Sequence, residues 1–142
     1  MNSMNAADTN IYVYALDADE PLKQGTALEL FGRLVLQPAE TVFLWQVAGE
    51  FLSQLRRWES KGKLKPDEVQ VAFRRFSAMV TLRIPSRTIF QRSFDLRSRF
   101  SLSHRDSMLL AACKDAGVTT LYSEDMDSGT DYDGLTIVNP FA

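Results

Sequence analysis

The chain of 142 residues has one cysteine, one histidine and no long hydrophobic run. A single cysteine excludes an intrachain disulfide, and the place of Cys113 in the apolar run 108–113 predicts a buried side chain, not a nucleophile. The lone His104 has no nucleophile paired with it in sequence, which favours a packing or capping role. The longest uncharged apolar window, residues 41–49, is far shorter than the roughly 20 residues that cross a bilayer.

Composition places the chain among ordinary globular domains and argues against disorder. Its length fits a single domain, residues 1–142, that can bury a core; residues 1–5 or so are compatible with a flexible N-terminal extension. The N-terminal segment has neither a basic start nor an apolar stretch, so we expect no signal peptide and no membrane contact. A reducing, cytoplasmic environment is the expectation that follows.

Charge is unevenly distributed although the formal net charge is only -2. Between Arg56 and Arg105 the chain carries thirteen basic and four acidic residues, whereas both flanks are rich in acids. Two interpretations fit this pattern: a track for a polyanion beside an acidic site, or the solvated faces of surface helices.

Hydrophobic spacing predicts alternating helices and short strands. The predicted helices cover residues 22–36, 46–58 and 107–116, a segment that begins at Pro66, and a segment from an N-cap at Ser86 to Phe100. The predicted strands cover residues 41–45, 80–84, 118–122 and 135–138, while residues 11–15 fit either a strand or a helix start. This order predicts the α/β class, with a mostly parallel central sheet flanked by helices.

Four acidic residues stand where predicted strands end or helices begin: Asp8, Glu50, Asp106 and Asp125. Sites in parallel α/β sheets form beyond the carboxyl ends of the strands, so four distant segments can deliver these side chains to one cleft. Each acid taken alone is more often a helix cap or turn residue. Carboxylates held close raise each other's pKa unless a cation offsets their charge, and hard oxygen ligands suit Mg²⁺ or Mn²⁺. The set therefore predicts metal-assisted phosphodiester chemistry.

The segments around these acids resemble PIN-domain proteins, and the chain's length is similar to that of VapC-like toxins of bacterial toxin–antitoxin pairs. The resemblance runs in order through nearly the whole chain, in residues 8–17, 47–52, 102–113 and 121–126. It implies a Mg²⁺- or Mn²⁺-dependent ribonuclease in which the four acids bind metal and act in catalysis. Asn10 and Ser123 match positions that orient the acids and hold water in this family, and Asp127 is a further candidate for the metal site.

The resemblance also implies partners. We expect a homodimer, an RNA substrate and a small antitoxin whose C-terminal segment blocks the acidic cleft. Basic side chains suited to the RNA backbone are Arg56, Arg57, Arg97 and Arg99.

Two features depart from the family pattern. The segment Asn5-Ala6-Ala7 is less bulky than the apolar run usual before the first acid. Arg105 adjoins the third acid, where it can neutralise the cleft, contact phosphate or point to solvent; we expect it to point to solvent.

Other functions are weighed against the ribonuclease. A PIN-like module that binds RNA or protein without cleavage is the main alternative, although acids at all four positions argue against it. A phosphohydrolase of the haloacid-dehalogenase type needs Asp where this chain has Asn10. A calcium loop that starts at Asp125 fails its pattern, because Gly129 and Thr136 stand where ligands belong.

Overall fold

Helices and short strands alternate along the chain in the computed structural model, which describes residues 3–142. The helices are α1 (Thr9–Leu16), α2 (Pro21–Leu34), α3 (Trp45–Ser60), α4 (Pro66–Met79), α5 (Thr88–Phe100) and α6 (His104–Asp115). The strands are β1 (Asn5–Ala7), β2 (Val42–Leu44), β3 (Thr81–Arg83), β4 (Thr120–Tyr122), β5 (Asp131–Tyr132) and β6 (Leu135–Val138). A 3-10 turn, Pro38–Glu40, precedes β2.

The strands pair mostly in parallel, which confirms the predicted α/β class. β1, β4 and β6 are parallel neighbours, and β5 closes the edge antiparallel to β6. β2 and β3 form a second parallel pair, joined to β1 through a bridge between Asn5 and Thr41. β1 therefore lies between β2 and β4, at the centre of the sheet.

The small residues of β1 suit this central place. Ala6 and Ala7 are fully buried, as expected for a parallel strand covered on both faces. Alanine is a poor strand former, so pairing on both sides and not intrinsic propensity sets this strand. Main-chain hydrogen bonds from Thr119 and Thr120 to the Met4 carbonyl extend the pairing with β4, while Met1 and Asn2 lie outside the described residues.

An aromatic cluster fills the core on the side of α1 to α4. The Tyr12 ring lies at its centre, with ring centroids 4.6 to 5.5 Å from those of Phe31, Phe43, Phe51 and Phe76. The five rings come from five different elements, so the cluster ties the helices to β2. Aromatic rings in such tilted and edge-to-face contacts add to the stabilisation from the area that they bury.

Most predicted elements recur with shifted ends, one open alternative is decided and one local prediction is corrected. Residues 11–15, which fit either a strand or a helix start in sequence, belong to α1, since Ile11, Tyr12 and Ala15 lie on one buried helical face. Ser86 is not the N-cap of α5, which is Arg87. The Ser86 hydroxyl donates instead to Asp115 Oδ1 at 2.7 Å, because an ionised carboxylate is a strong acceptor.

The turn between β5 and β6 is Asp133-Gly134, with φ of 57° and 89°, a conformation that glycine adopts without strain. The predicted burial of Cys113 is confirmed. Cys113 is fully buried, and its burial, together with the nearby charge of Asp8, raises the pKa of its thiol. Within residues 3–142, none of the helices has the length and apolar character to cross a membrane.

The Tyr12 hydroxyl gives a test of this core. It is buried without a hydrogen-bond partner among the described side chains and main chain, and its burial raises its pKa. Tyr12→Phe should raise the free energy of unfolding by about 1 kcal/mol, because an unsatisfied polar group leaves the core. Urea denaturation followed by circular dichroism measures this.

The matched control is Tyr14→Phe, which also removes one hydroxyl. Tyr14 donates to Glu124 at 2.7 Å and accepts from Lys23 at 3.2 Å, so its loss should lower stability or leave it unchanged. A Tyr12→Phe protein less stable than the wild type would contradict the assignment.

Candidate active site

Asp8 is a buried acid at the centre of the candidate site. It directly follows β1, its main-chain nitrogen donates to the Tyr122 carbonyl at 2.8 Å, and it is the N-cap of α1. Its carboxylate accepts from the Thr9 main-chain nitrogen at 2.7 Å and from the Ser123 hydroxyl at 2.9 Å. Asp8 is thus a helix cap and a candidate site residue at once.

Glu50 reaches the same place from the second turn of α3. The Thr9 hydroxyl donates to Glu50 Oε1 at 2.5 Å, which ties α3 to the start of α1. The Glu50 side chain is about one third exposed, with a relative accessibility of 36%. The carboxylate is therefore held by protein while part of the side chain remains accessible from the cleft.

Asp106 and Asp125 complete the set from two further segments. Asp106 lies in the first turn of α6, where its main-chain nitrogen donates to the hydroxyl of the N-cap Ser103 at 3.1 Å. Asp125 follows β4 and accepts from the Asn10 side-chain amide at 2.9 Å. Its main-chain nitrogen donates to the Ser123 hydroxyl, so Ser123 links Asp125 to Asp8.

The structure therefore brings the four predicted acids together, and they are called the acid cluster below. Glu50, Asp106 and Asp125 line an open cleft of about 410 Å³, with Asp8 beneath them. Partial burial and the neighbouring charges of Asp8 and Glu124 raise the pKa of the Asp125 carboxyl. Like charges are thus crowded here, as the sequence predicts. The roles of these acids in metal binding and catalysis stay predictions.

Arg105 does not point to solvent, and that expectation is wrong. Its Nη2 lies 2.7 Å from Asp8 Oδ1 and 2.7 Å from Glu50 Oε1, and its Nε lies 3.2 Å from Glu50 Oε2. Its Nη1 lies 3.4 Å from Asp106 Oδ1. The hydrogen bonds to Glu50 and Asp8 raise the pKa of the guanidinium against the effect of partial burial. The attraction of several carboxylates outweighs solvation of one arginine.

The donor set of the acid cluster fits a divalent cation in chemistry and charge. Carboxylate oxygens are the ligands that Mg²⁺ and Mn²⁺ prefer, and four acids exceed the single charge of Arg105. Among the residues that the structure describes, no group of three or more His, Cys, Asp or Glu side chains is placed so that it could hold one metal ion. The oxygens of Asp8, Glu50 and Asp106 are instead arranged around the guanidinium.

The sequence analysis did not identify every residue around the acid cluster, and it left open which arginines lie near the cleft. Thr9 was missed, although its position directly after a predicted cap residue was the available signal. Arg57 lines the cleft, as does Ser53 one turn earlier on the same helix. Arg99 is engaged elsewhere, in ion pairs with Asp95 and Asp133.

Asp127 has a different environment from the acid cluster. It is exposed on the loop after β4, and its charge acts on Tyr132, whose pKa is raised first by burial and then by Asp127. Among the described residues that line the cleft, Asp127 is absent. Nothing in its position supports a part in the metal site.

Comparison with known proteins finds similarity in three-dimensional structure. No protein-family model matches the chain, and no curated protein matches it in sequence at a significant level. A toxin–antitoxin complex from Klebsiella pneumoniae has a chain 18% identical, with 96% of this chain and 97% of that one covered and a TM-score of 0.67.

Two further solved structures are similar over most of their length. One is VapBC2 from Rickettsia felis bound to a DNA fragment from its promoter, with 14% identity, coverage of 86% and 88%, and a TM-score of 0.66. The other is VapC20 from Mycobacterium tuberculosis, a toxin that cleaves the sarcin–ricin loop, with 19% identity, coverage of 87% and 91%, and a TM-score of 0.62. The resemblance to VapC toxins is thereby confirmed at the level of the fold.

Ser123 provides a test of how the buried acid is held. Ser123→Ala should lower the free energy of unfolding by about 1–3 kcal/mol, because the buried Asp8 carboxylate loses a donor. Urea denaturation measures the change. The control is Ser98→Ala on the exposed face of α5, which should stay within about 0.5 kcal/mol of the wild type. Equal effects of the two substitutions would contradict the role given to Ser123.

Proposed function

We propose that the chain is a divalent-metal-dependent ribonuclease and the toxin of a toxin–antitoxin pair. The observation that carries the proposal is the convergence of Asp8, Glu50, Asp106 and Asp125, from four separate segments, at one open cleft. The fold shared with VapC toxins supports it, since VapC20 is described as a toxin that cleaves the sarcin–ricin loop.

The acid cluster would hold the metal, Mg²⁺ or Mn²⁺, through its carboxylate oxygens. The chemistry that such a cation would supply is to lower the pKa of a bound water, polarise the scissile phosphate and stabilise the leaving oxygen. The chain's own residues orient these carboxylates. Thr9 and Ser123 donate to Glu50 and Asp8, and Asn10 holds Asp125 by its amide.

The substrate reaches the cleft as a polyanion. Arg57 stands on the cleft's edge among the acids, the one arginine of the RNA-contact candidates that lines the cleft in residues 3–142. Its positive charge offsets repulsion between phosphate and carboxylates, a contribution that is independent of sequence and sensitive to salt. The openness of the cleft suits a nucleic acid strand better than a small enclosed substrate.

The partners follow from the same proposal. An antitoxin protein would be the partner, which the toxin–antitoxin assemblies among the structural neighbours support. We expect it to cover the cleft in the resting complex. A homodimer and a cytoplasmic location complete the proposal.

One observation favours a second candidate, a PIN-like module that binds RNA or protein without cleavage. Arg105 already neutralises part of the acid cluster, as it would in a site that needs no metal. The two candidates differ in whether metal binding and RNA cleavage are lost together when an acid is removed.

The test uses Asp125→Asn and Asp8→Asn against a panel of tRNA and rRNA with Mg²⁺, Mn²⁺ or a chelator. Wild-type protein should cleave only with metal, and each variant should be slower by on the order of 100-fold, because an anionic ligand for the divalent cation is removed. Induced in a bacterial host, the wild type should arrest growth and Asp125→Asn should not.

Asp125 is exposed and its side chain accepts one hydrogen bond, from Asn10, so its variant should stay folded even where Asp8→Asn does not. The control is Asp95→Asn on α5, which should cleave like the wild type. RNA affinity that persists in all proteins, with no cleavage under either metal, would favour the binding module.

A second test concerns the arginine at the cleft. Arg57→Gln should weaken RNA binding and reduce the slope of log K against log salt by about 0.7 for each single-strand phosphate that the arginine neutralises in the wild type. The control is Arg99→Gln, since Arg99 is held by Asp95 and Asp133. Fluorescence anisotropy over a salt series measures both, in the presence of a chelator that prevents cleavage. Equal salt slopes for Arg57→Gln and Arg99→Gln would contradict a contact between Arg57 and the RNA backbone.

A further inference from the structure

The position of Arg105 within the acid cluster has a consequence for how the site is filled. Its guanidinium contacts three of the four carboxylates: Nη2 bridges Asp8 and Glu50 at 2.7 Å each, and Nη1 lies 3.4 Å from Asp106. No other lysine or arginine among residues 3–142 forms an ion pair with any member of the cluster. Arg105 is therefore the cluster's single cationic partner in the described chain.

The hydrogen bonds of Arg105 compensate a buried charge, whereas those of an exposed surface ion pair do not. Asp8 is buried, and an ionised carboxylate in that position is costly without a charged partner. The planar guanidinium supplies several donors at fixed angles, which lets it bridge carboxylates from three elements. The Arg99 pairs, by contrast, lie on exposed side chains, which solvent screens.

We propose that Arg105 is a built-in counter-ion that holds the acid cluster together without metal, and that a divalent cation enters only by displacing it. This rests on the proposed function in taking a divalent cation as the ligand of the cluster. The carboxylate oxygens that accept from Arg105 are the same ones that would bind the ion. Guanidinium and dication also repel each other, so both cannot occupy the cluster.

An alternative position for the displaced Arg105 side chain lies next to the acidic cleft. Arg105 borders both the acidic cleft and an adjoining apolar groove, lined by Trp45, Phe90, His104 and Met108. The Trp45 side chain is about half exposed, and an indole face is a favourable partner for a guanidinium. The Arg105 methylenes would remain on apolar surface while the charge leaves the acids.

The test compares Arg105→Gln and Arg105→Lys with the wild type, using Mn²⁺ alone as the probe. Calorimetry should give Arg105→Gln a Mn²⁺ affinity at least about tenfold higher than that of the wild type, because a positive charge that competes for the same carboxylate oxygens is removed. The Mn²⁺ affinity of Arg105→Lys should fall between these two, because an ammonium keeps the positive charge but lacks the planar set of donors. The charge-matched control, Arg97→Gln on the exposed face of α5, should match the wild type.

A second readout is stability in chelator, which does not depend on activity. Without metal, Arg105→Gln should melt below the wild type and Arg97→Gln, and added Mn²⁺ should raise its melting temperature more than it raises theirs. Should Arg105→Gln not fold in chelator, Arg105→Lys carries both measurements.

The outcomes separate this inference from the proposed function. Equal Mn²⁺ affinity in wild type, Arg105→Gln and Arg105→Lys would overturn competition by Arg105 and leave the metal-dependent ribonuclease standing. Weaker binding by Arg105→Gln would make Arg105 an organiser of the metal site, which also overturns the proposal. No Mn²⁺ uptake by any folded variant would overturn the proposed metal site itself.

Discussion

A carboxylate buried at the end of the central strand is the constraint on which the rest of the site depends. Asp8 is almost inaccessible to water, so its charge must be satisfied by the protein. The first main-chain N–H of α1, the Ser123 hydroxyl and the Arg105 guanidinium supply those bonds. These three donors come from different parts of the chain, and each also contacts other residues of the site. The positions of the residues around the cleft therefore depend on this one buried charge.

Strand register delivers one of those partners directly. Ala7 pairs with Tyr122 in the parallel ladder of β1 and β4, so the next residue of each strand, Asp8 and Ser123, must also lie side by side. The hydrogen bond between them follows from that register. Strands of three residues are enough because β1 is paired on both sides and its alanines leave no bulk to accommodate. The weak intrinsic propensity of Asn5-Ala6-Ala7 is overridden by its position in the sheet.

Sequence patterns predict those parts of the fold that depend on periodicity and chain order. The parallel sheet, the helix around Glu50 and the convergence of the four acids follow from alternating elements and from strand ends. The direction of a long side chain does not follow, because Arg105 has several torsions and its choice depends on its neighbour Asp106 and on two acids from other segments, Asp8 and Glu50. Ser86 is wrongly predicted as a cap for a similar reason, since Asp115 lies 29 residues away in sequence. The helix at residues 11–15 is ambiguous in sequence because a short apolar run fits both periods.

Arg105 borders two spaces, the acidic cleft and the apolar groove beside Trp45. A side chain shared in this way makes the two spaces thermodynamically linked, since an occupant of one changes where the guanidinium can rest. Under the proposed displacement such linkage would be reciprocal: a molecule seated in the groove would drive the arginine back onto the acids, and an ion among the acids would drive it toward the groove. Heterotropic coupling between two adjacent ligands thus needs no movement of the sheet, only two positions of a single residue.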